Sequence, residues 1–219
     1  MRFRIDLKIF LFAILFYFSK QMEIYAMVMF FAILHELGHL LAGILLGMKP
    51  EKMEIMPYGV SISFQLTPKD YNKKINKGNQ LELKKILVAL AGPMTNLIIM
   101  LIIFQINVNV FCGLMILYSN LLLILFNLLP IYPLDGGRIL KGILHMFLGK
   151  MKAEKYINLI SFVTLIIATF IASIAVYLAE NIAIFLIVLV LWGIFIKEDR
   201  IYGKRKKIYK LLEKSIEIK

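Results

Sequence analysis

Long apolar stretches separated by short polar segments dominate the pattern along the chain. Windows of about 20 apolar residues, the length needed to cross the hydrocarbon core of a bilayer, predict about six membrane-spanning helices. These spans fall at residues 7–24, 26–47, 86–104, 110–130, 159–178 and 182–196. The first span is interrupted by polar residues, and the last is short. The pattern therefore predicts an all-α, polytopic integral membrane protein.

The composition supports this prediction. Of the 219 residues, 60% are hydrophobic and 18% are charged, and the mean hydropathy is +0.80. These values exclude an ordinary soluble domain. The single cysteine, Cys112, excludes an intramolecular disulfide. No signal-peptide cleavage pattern stands apart from the first span, so we expect the N-terminus to be retained.

Positive charge alternates between the segments that connect the predicted spans. Eight Lys lie in 48–85, five Lys or Arg lie in 131–158, and nine lie in 197–219, whereas 105–109 and 179–181 contain none. Cytoplasmic loops carry such an excess of Lys and Arg. The pattern therefore predicts a multi-pass protein with both termini in the cytoplasm, and it accounts for the net charge of +12.

The basic segment 197–219 has two interpretations. A run such as KRKK is found in nucleic-acid-binding proteins, but next to a membrane span it is also typical of a segment that contacts anionic lipid. We expect the lipid bilayer as its partner and no nucleic acid. The predicted organisation is a membrane-embedded domain over 1–196 followed by a basic cytoplasmic tail over 197–219.

The segment MEIMPYGVSISFQL, residues 53–66, is rich in β-branched and aromatic residues around Pro57 and Gly59. It predicts one or two short strands that form a small β element at the membrane interface. A plain loop on the bilayer surface is the alternative. An edge strand here would be able to pair with an extended peptide.

The second span carries candidate chemistry in the sequence HELGH. Residues four apart share a helix face, so His35 and His39 can bind one cation while Glu36 lies beside it. Ionisable groups inside a membrane are costly and are usually functional. The alternative is that the two histidines only hydrogen-bond neighbouring helices.

A catalytic zinc site needs a third protein ligand and one open position for water. The candidate is Asp135, in the segment NLLPIYPLDGGR that begins at Asn127. Pro130 and Pro133 prevent a regular helix there, and we expect the two glycines after Asp135 to let the backbone turn. Irregular backbone at membrane depth is tolerated where protein or a water-filled cavity surrounds it.

Together these motifs resemble the site-2 protease family of intramembrane zinc metalloproteases. The resemblance rests on HELGH, on N-x-x-P-x-x-P-x-D-G, and on AGPMTN at residues 91–96, which is similar to the family's G-x-x-x-N element. It covers residues 26–140 and implies a three-helix catalytic core there.

The resemblance also implies the roles of the site residues. The zinc (Zn2+) ligands would be His35, His39 and Asp135. Glu36 would be the general base, and Asn127 would position the substrate or stabilise the oxyanion. The implied activity is that of a zinc metalloendopeptidase, a hydrolase that cuts a membrane-associated protein near the cytoplasmic side.

Six spans and the spacing N-L-L-P-x-x-P-L-D-G-G-R most resemble the stage IV sporulation protein FB group. That group processes a membrane-associated sigma-factor precursor, so the resemblance implies release of a transcription regulator and a membrane regulatory protein as a partner. Many members carry a C-terminal CBS domain, and we expect none in the 23 residues that follow the last span.

Three alternatives stay open. The first is a catalytically inactive relative that acts as a binding module. The second is a site-2 protease that acts on an anti-sigma factor, and the third is a metal transporter. The retained Glu36 argues against the inactive relative. A transporter predicts metal-binding residues along a path across the bilayer.

Two further features receive structural interpretations. His145 has no partner at metal-ligand spacing, and we expect it to have no catalytic role. Gly43 and Gly47 form G-x-x-x-G, which favours close helix packing within the core over a homodimer face.

Overall fold

The computed structural model describes residues 2–5, 22–56, 59–65, 75–106, 110–179 and 182–217. The described helices are α1 Met22–Leu45, α2 Ile75–Gln105, α3 Val110–Asn127, α4 Asp135–Leu148, α5 Lys150–Ala179 and α6 Ile182–Glu217. The strands are β1 Arg2–Ile5, β2 Lys49–Met56 and β3 Gly59–Gln65. The chain divides into two compact units, Met1–Leu128 and Leu129–Lys219, which we call the N-terminal and C-terminal units.

The prediction of an all-α membrane protein is confirmed. Among the described residues, three helical segments are long and apolar enough to cross a bilayer, namely Met22–Leu45, Asn79–Gln105 and Lys150–Leu178. They contain most of the predicted second span and all of the third and fifth. The fourth predicted span corresponds to α3, which is shorter. The predicted first span falls mainly on residues outside the described part of the chain.

Three helices, α1, α2 and α3, pack against one another in the N-terminal unit. Phe31 and Ala32 of α1 and Leu123 of α3 form a buried apolar cluster, and Ile99 of α2 packs against it. This packing holds together the three helices that carry HELGH, AGPMTN and Asn127.

The predicted β element is present as a hairpin. Strands β2 and β3 are antiparallel, with Ile55 opposite Val60, and β1 pairs in parallel with β2, which gives the order β1-β2-β3. The alternative of a plain loop is therefore wrong. The sequence did not predict β1, because four residues before a predicted span carry too weak a pattern.

The glycines of the G-x-x-x-G pair do not form a helix-packing face. Gly43 leaves room for the ring of Phe64 from β3, which a Cβ would overlap. Gly47 follows the end of α1 with a φ of 76°, a conformation that favours glycine, and its N–H donates to the carbonyl of Ile44. The helix-packing prediction is wrong because the hairpin covers this end of α1.

The C-terminal unit consists of α4, α5 and α6. The indole Nε1 of Trp192 on α6 donates to Thr169 Oγ1 on α5 over 3.0 Å. The sixth predicted span forms the first part of α6, which continues without a break to Glu217. The segment after 196 contains good helix formers and no proline, so the helix extends through it. The domain boundary at 196 stays a prediction.

Candidate metal centre

The two histidines of HELGH lie side by side on α1. His35 and His39 are each 3% exposed, and their ring centroids are 4.8 Å apart. Four residues make slightly more than one turn of an α-helix, so the spacing places both imidazoles on one face. The sequence predicted this arrangement from the motif alone.

A backbone carbonyl orients the ring of His39. Its Nδ1 lies 2.6 Å from the carbonyl oxygen of Val88 on α2. Because a carbonyl can only accept, Nδ1 carries the proton and donates it, which leaves the lone pair of a neutral imidazole on Nε2. Metal-binding histidines commonly have this second hydrogen bond, which fixes their tautomer and orientation.

Gly92 of the AGPMTN motif brings α2 against both imidazoles. A Cβ built on Gly92 would overlap the Nε2 atoms of His35 and His39. The two Nε2 atoms therefore face the same glycine. Only glycine, which has a hydrogen atom in place of a side chain, fits at position 92 without overlapping these two nitrogen atoms.

A second small residue lies at the same crossing of α1 and α2. A Cβ on Gly38 would overlap the side chain of Thr95, and the Thr95 hydroxyl itself donates to the carbonyl of Ala91 over 2.8 Å. Glycines on both helices thus permit the close approach that places α2 against the histidines. The sequence contained Gly92 as part of a recognised motif, but it did not reveal which side chains the glycine meets.

The other two candidates in the N-terminal unit are half-buried. Glu36 follows His35 on α1. Asn127 is the last residue of α3, and its Nδ2 donates to the carbonyl of Leu123 one turn earlier, over 3.1 Å. That bond uses one donor of the amide and leaves its second N–H and its carbonyl oxygen for other partners.

Asp135 belongs to the C-terminal unit, where it is the first residue of α4 and is 4% exposed. A carboxylate in the first turn of a helix is stabilised by the partial positive charge of the helix N-terminus. The guanidinium Nη1 of Arg138 lies 3.7 Å from Asp135 Oδ1. Both interactions place positive charge beside the carboxylate group, and a deprotonated carboxylate is the form that binds metal.

The segment before Asp135 is irregular, as Pro130 and Pro133 predicted. The two glycines, however, lie within the first turn of α4 and do not form the expected turn. A Cβ on Gly137 would overlap the backbone of Ile131 and Tyr132, so this glycine permits the irregular segment to pack on α4. The expectation of a glycine turn is wrong, because the irregular segment that contains Pro130 and Pro133 ends before the two glycines, which are already helical.

Ser161 of α5 anchors the irregular segment, a role that no pattern in the sequence indicated. Its hydroxyl accepts a hydrogen bond from the N–H of Tyr132 over 3.0 Å and lies 3.5 Å from the carbonyl oxygen of Pro130. Ser161 is 1% exposed. The backbone leading to Asp135 is therefore held from a helix that begins 15 residues after it.

A buried charge cluster lies in the same unit. Glu154 of α5 is 5% exposed, with Lys141 Nζ at 3.7 Å and Arg205 Nη1 at 3.2 Å from its Oε1. Lys141 also lies 4.3 Å from the ring centre of Tyr132. Burial, more than the nearby charges, raises the pKa of the Tyr132 phenol above its usual 10.0, so this side chain is protonated at neutral pH.

The donor set of the three candidate ligands fits zinc. His35, His39 and Asp135 are all buried, and each offers one ligand atom, which gives two imidazole nitrogens and one carboxylate oxygen. Zinc accepts these atom types, and three protein ligands leave a coordination position open. His145, by contrast, is half-buried on α4, and its lack of a catalytic role stays a prediction.

The chain is similar in sequence to known peptidases. A profile of peptidase family M50 matches residues 23–112 and 104–171. The chain is 35% identical over 133 residues to a zinc metalloprotease from Methanocaldococcus jannaschii, an alignment that covers 56% of this chain. The chain spans 34% of the length of that relative.

The fold is similar to the solved structure of a site-2 protease from the same organism. The TM-score is 0.64 at 22% identity, and the similarity covers 90% of this chain and 91% of that one. The molecule is thus a helical membrane protein with the site-2 protease fold. The profile match decides the family, and the chain belongs to peptidase family M50.

Proposed function

We propose that this protein is a zinc-dependent endopeptidase that cuts a membrane-associated protein within the bilayer. The observation that carries the proposal is the buried pair His35 and His39, whose Nε2 atoms face one glycine on an apolar helix of membrane-spanning length. Ionisable groups inside a membrane are costly, and they usually mark a functional site. Membership of peptidase family M50 supports proteolysis as the use of that ligand.

In this proposal His35, His39 and Asp135 would be the ligands of the zinc ion. The hydrogen bond from His39 Nδ1 to the carbonyl oxygen of Val88 keeps Nε2 deprotonated and fixes the orientation of the ring. The bound ion would supply a water with a pKa of about 7 and would polarise the peptide carbonyl. Glu36 takes a proton from the attacking water and passes it to the leaving amine. Asn127 donates a hydrogen bond that holds the substrate carbonyl or its developing negative charge.

Metal removal gives a direct test of this function. Chelation should abolish cleavage of a synthetic single-helix peptide with a central Gly-Pro pair, and stoichiometric zinc should restore it. Helix-breaking residues expose the peptide bond that the enzyme must reach. Mg2+ should not restore cleavage, because it prefers all-oxygen octahedral sites. Cleavage that continues at the same rate in the chelated protein would contradict a metalloprotease.

We propose that peptide cleavage takes place near the cytoplasmic side of the membrane. If the basic segment 48–85 is cytoplasmic, α1 runs inward, and His39 lies in its second half. We expect the substrate to be an N-terminal pro-segment or a single helix, cut a few residues inside the cytoplasmic boundary. Mass spectrometry of the product terminus from inverted vesicles tests this, and a cut in the outer leaflet would contradict the topology.

The spacing of the segment from Asn127 to Arg138 also suggests a substrate. The N-L-L-P-x-x-P-L-D-G-G-R spacing supports placement in the stage IV sporulation protein FB group, with a sigma-factor precursor as substrate and a membrane protein as regulator. An anti-sigma factor is the alternative substrate. The experiment is to co-express this protein with a sigma-factor precursor or with an anti-sigma factor encoded by a neighbouring gene. Detection of a shortened product shows which of these two substrates is cut.

A further inference from the structure

Asn96 on α2 is a fully buried polar residue. The residue is 0% exposed, and neither Nδ2 nor Oδ1 has a hydrogen-bond partner among the described residues. Buried side-chain amides in folded proteins are nearly always hydrogen-bonded, because an unpaired polar group retains its full desolvation cost. A membrane-spanning helix increases that cost, since lipid offers no substitute partner.

The position of Asn96 places it beside the candidate metal ligands. It follows Gly92 by four residues, so it lies on the same face of α2 about 6 Å further along the axis. One turn before Gly92, Val88 accepts the hydrogen bond from His39. One turn after Asn96, Ile99 packs on the apolar cluster of α1 and α3. Asn96 therefore lies between the imidazole layer and the apolar layer of this helix interface.

Helix geometry also gives the direction of the side chain. Every Cα–Cβ bond of an α-helix tilts toward the N-terminus, so a residue covers the turn that precedes it. For Asn96 that turn contains Gly92, which has no side chain and which contacts both Nε2 atoms. The Cα–Cβ bond of Asn96 is therefore directed toward the turn of α2 that lies against the two candidate metal-binding nitrogens. Thr95 beside it is different, because its hydroxyl is bonded within its own helix.

We propose that the carboxamide of Asn96 binds the main chain of the substrate next to the peptide bond that is cut. The inference rests on the proposed function and adds a substrate-binding residue to it. A carboxamide carries one acceptor and two donors, which match the N–H and C=O of an extended peptide. A substrate helix that unwinds in the bilayer exposes such groups, and each must find a partner there. Asn96 supplies that partner.

The test separates peptide binding from metal binding with two probes. Acetohydroxamate chelates zinc and has no peptide chain, whereas an acyl-Leu-Leu hydroxamate carries the same chelating group on a peptide. In zinc-loaded Asn96→Leu, affinity for the peptide probe should fall about 10-fold from the loss of its hydrogen bonds. Affinity for acetohydroxamate and the zinc content should match those of the unmodified protein.

Thr95→Val is the matched control, because it also replaces a polar group by an apolar one of similar shape on the adjacent position. We expect it to bind both probes like the unmodified protein. Asn96→Ala, which removes the carboxamide without adding volume, should repeat the selective loss seen with Leu. Agreement between the two variants excludes a packing defect specific to leucine.

Thermal unfolding of the metal-free protein in detergent provides a readout that does not depend on activity. Removal of an unpaired buried amide should leave the Tm of Asn96→Leu unchanged or raise it. A Tm that falls by several degrees in both Asn96 variants and not in Thr95→Val would show a structural role, such as a permanently bound water, and would overturn the inference. Equal affinity for the peptide probe, or equal loss for both probes, would also overturn it. Failure of the unmodified zinc-loaded protein to bind either probe would instead contradict the proposed function.

Discussion

Glu36→Gln is expected to lower peptide cleavage by about 10³-fold, within the range typical of a lost general base. Glutamine has nearly the same shape as glutamate, but its amide does not accept a proton near neutral pH. Glu36 is not one of the proposed zinc ligands, so zinc should stay near one ion per chain. The measurement is the rate of cleavage of the reconstituted single-helix peptide together with the zinc content of the same sample.

Glu23→Gln is the matched control for this experiment. Glu23 lies in the first turn of the same helix and is exposed, so its substitution removes the same charge without touching the site. Its cleavage rate should equal that of the unmodified protein. An equal rate in Glu36→Gln would make Glu36 a bystander and favour the inactive binding module. Loss of zinc from Glu36→Gln would instead identify Glu36 as a ligand.

Gly92→Ala is expected to weaken zinc binding by about 100-fold, comparable with the largest effects of altering residues that orient metal ligands. The added methyl group would overlap the Nε2 atoms of His35 and His39, so both rings, or α2 itself, must move. Metal ligation tolerates displacements of only about 0.2 Å. Competition with a fluorescent zinc chelator measures the affinity.

Gly193→Ala provides the control for the effect of alanine in a helix. Gly193 lies in α6, and a Cβ there would meet nothing within 4 Å. Since alanine favours helix more than glycine by about 1 kcal/mol, this variant should be as stable as the unmodified protein or more stable, with unchanged zinc affinity. Unchanged zinc affinity in Gly92→Ala would mean that metal does not bind at the two Nε2 atoms.

The irregular segment before Asp135 shows how the C-terminal unit contributes to the proposed chemistry. Ser161 holds the backbone at Tyr132, and Gly137 lets the segment pack on α4. A side chain that directly follows irregular backbone keeps its position only if other elements constrain that backbone. Here α5 supplies the constraint, although it carries none of the candidate ligands.

The sequence by itself determined the features that depend on local periodicity. Apolar windows predicted the three described helices that are long enough to cross a membrane. The spacing of HELGH placed His35 and His39 on one face, and β-branched residues around Pro57 and Gly59 predicted the hairpin. Each of these follows from the conformation of a few neighbouring residues, because helix and strand repeats are set by the backbone. The prolines likewise ended α3 before Asp135 where the pattern predicted a break.

Tertiary structure alone decided which distant residues meet. The carbonyl of Val88 contacts His39 across 49 positions of sequence, and Gly92 contacts both imidazoles because α1 and α2 cross at small residues. The burial of Asn96 without a partner and the anchoring of Tyr132 by Ser161 have the same origin. No local pattern encodes such contacts, since they depend on how whole helices pack, and a one-residue change in register would replace every one of them.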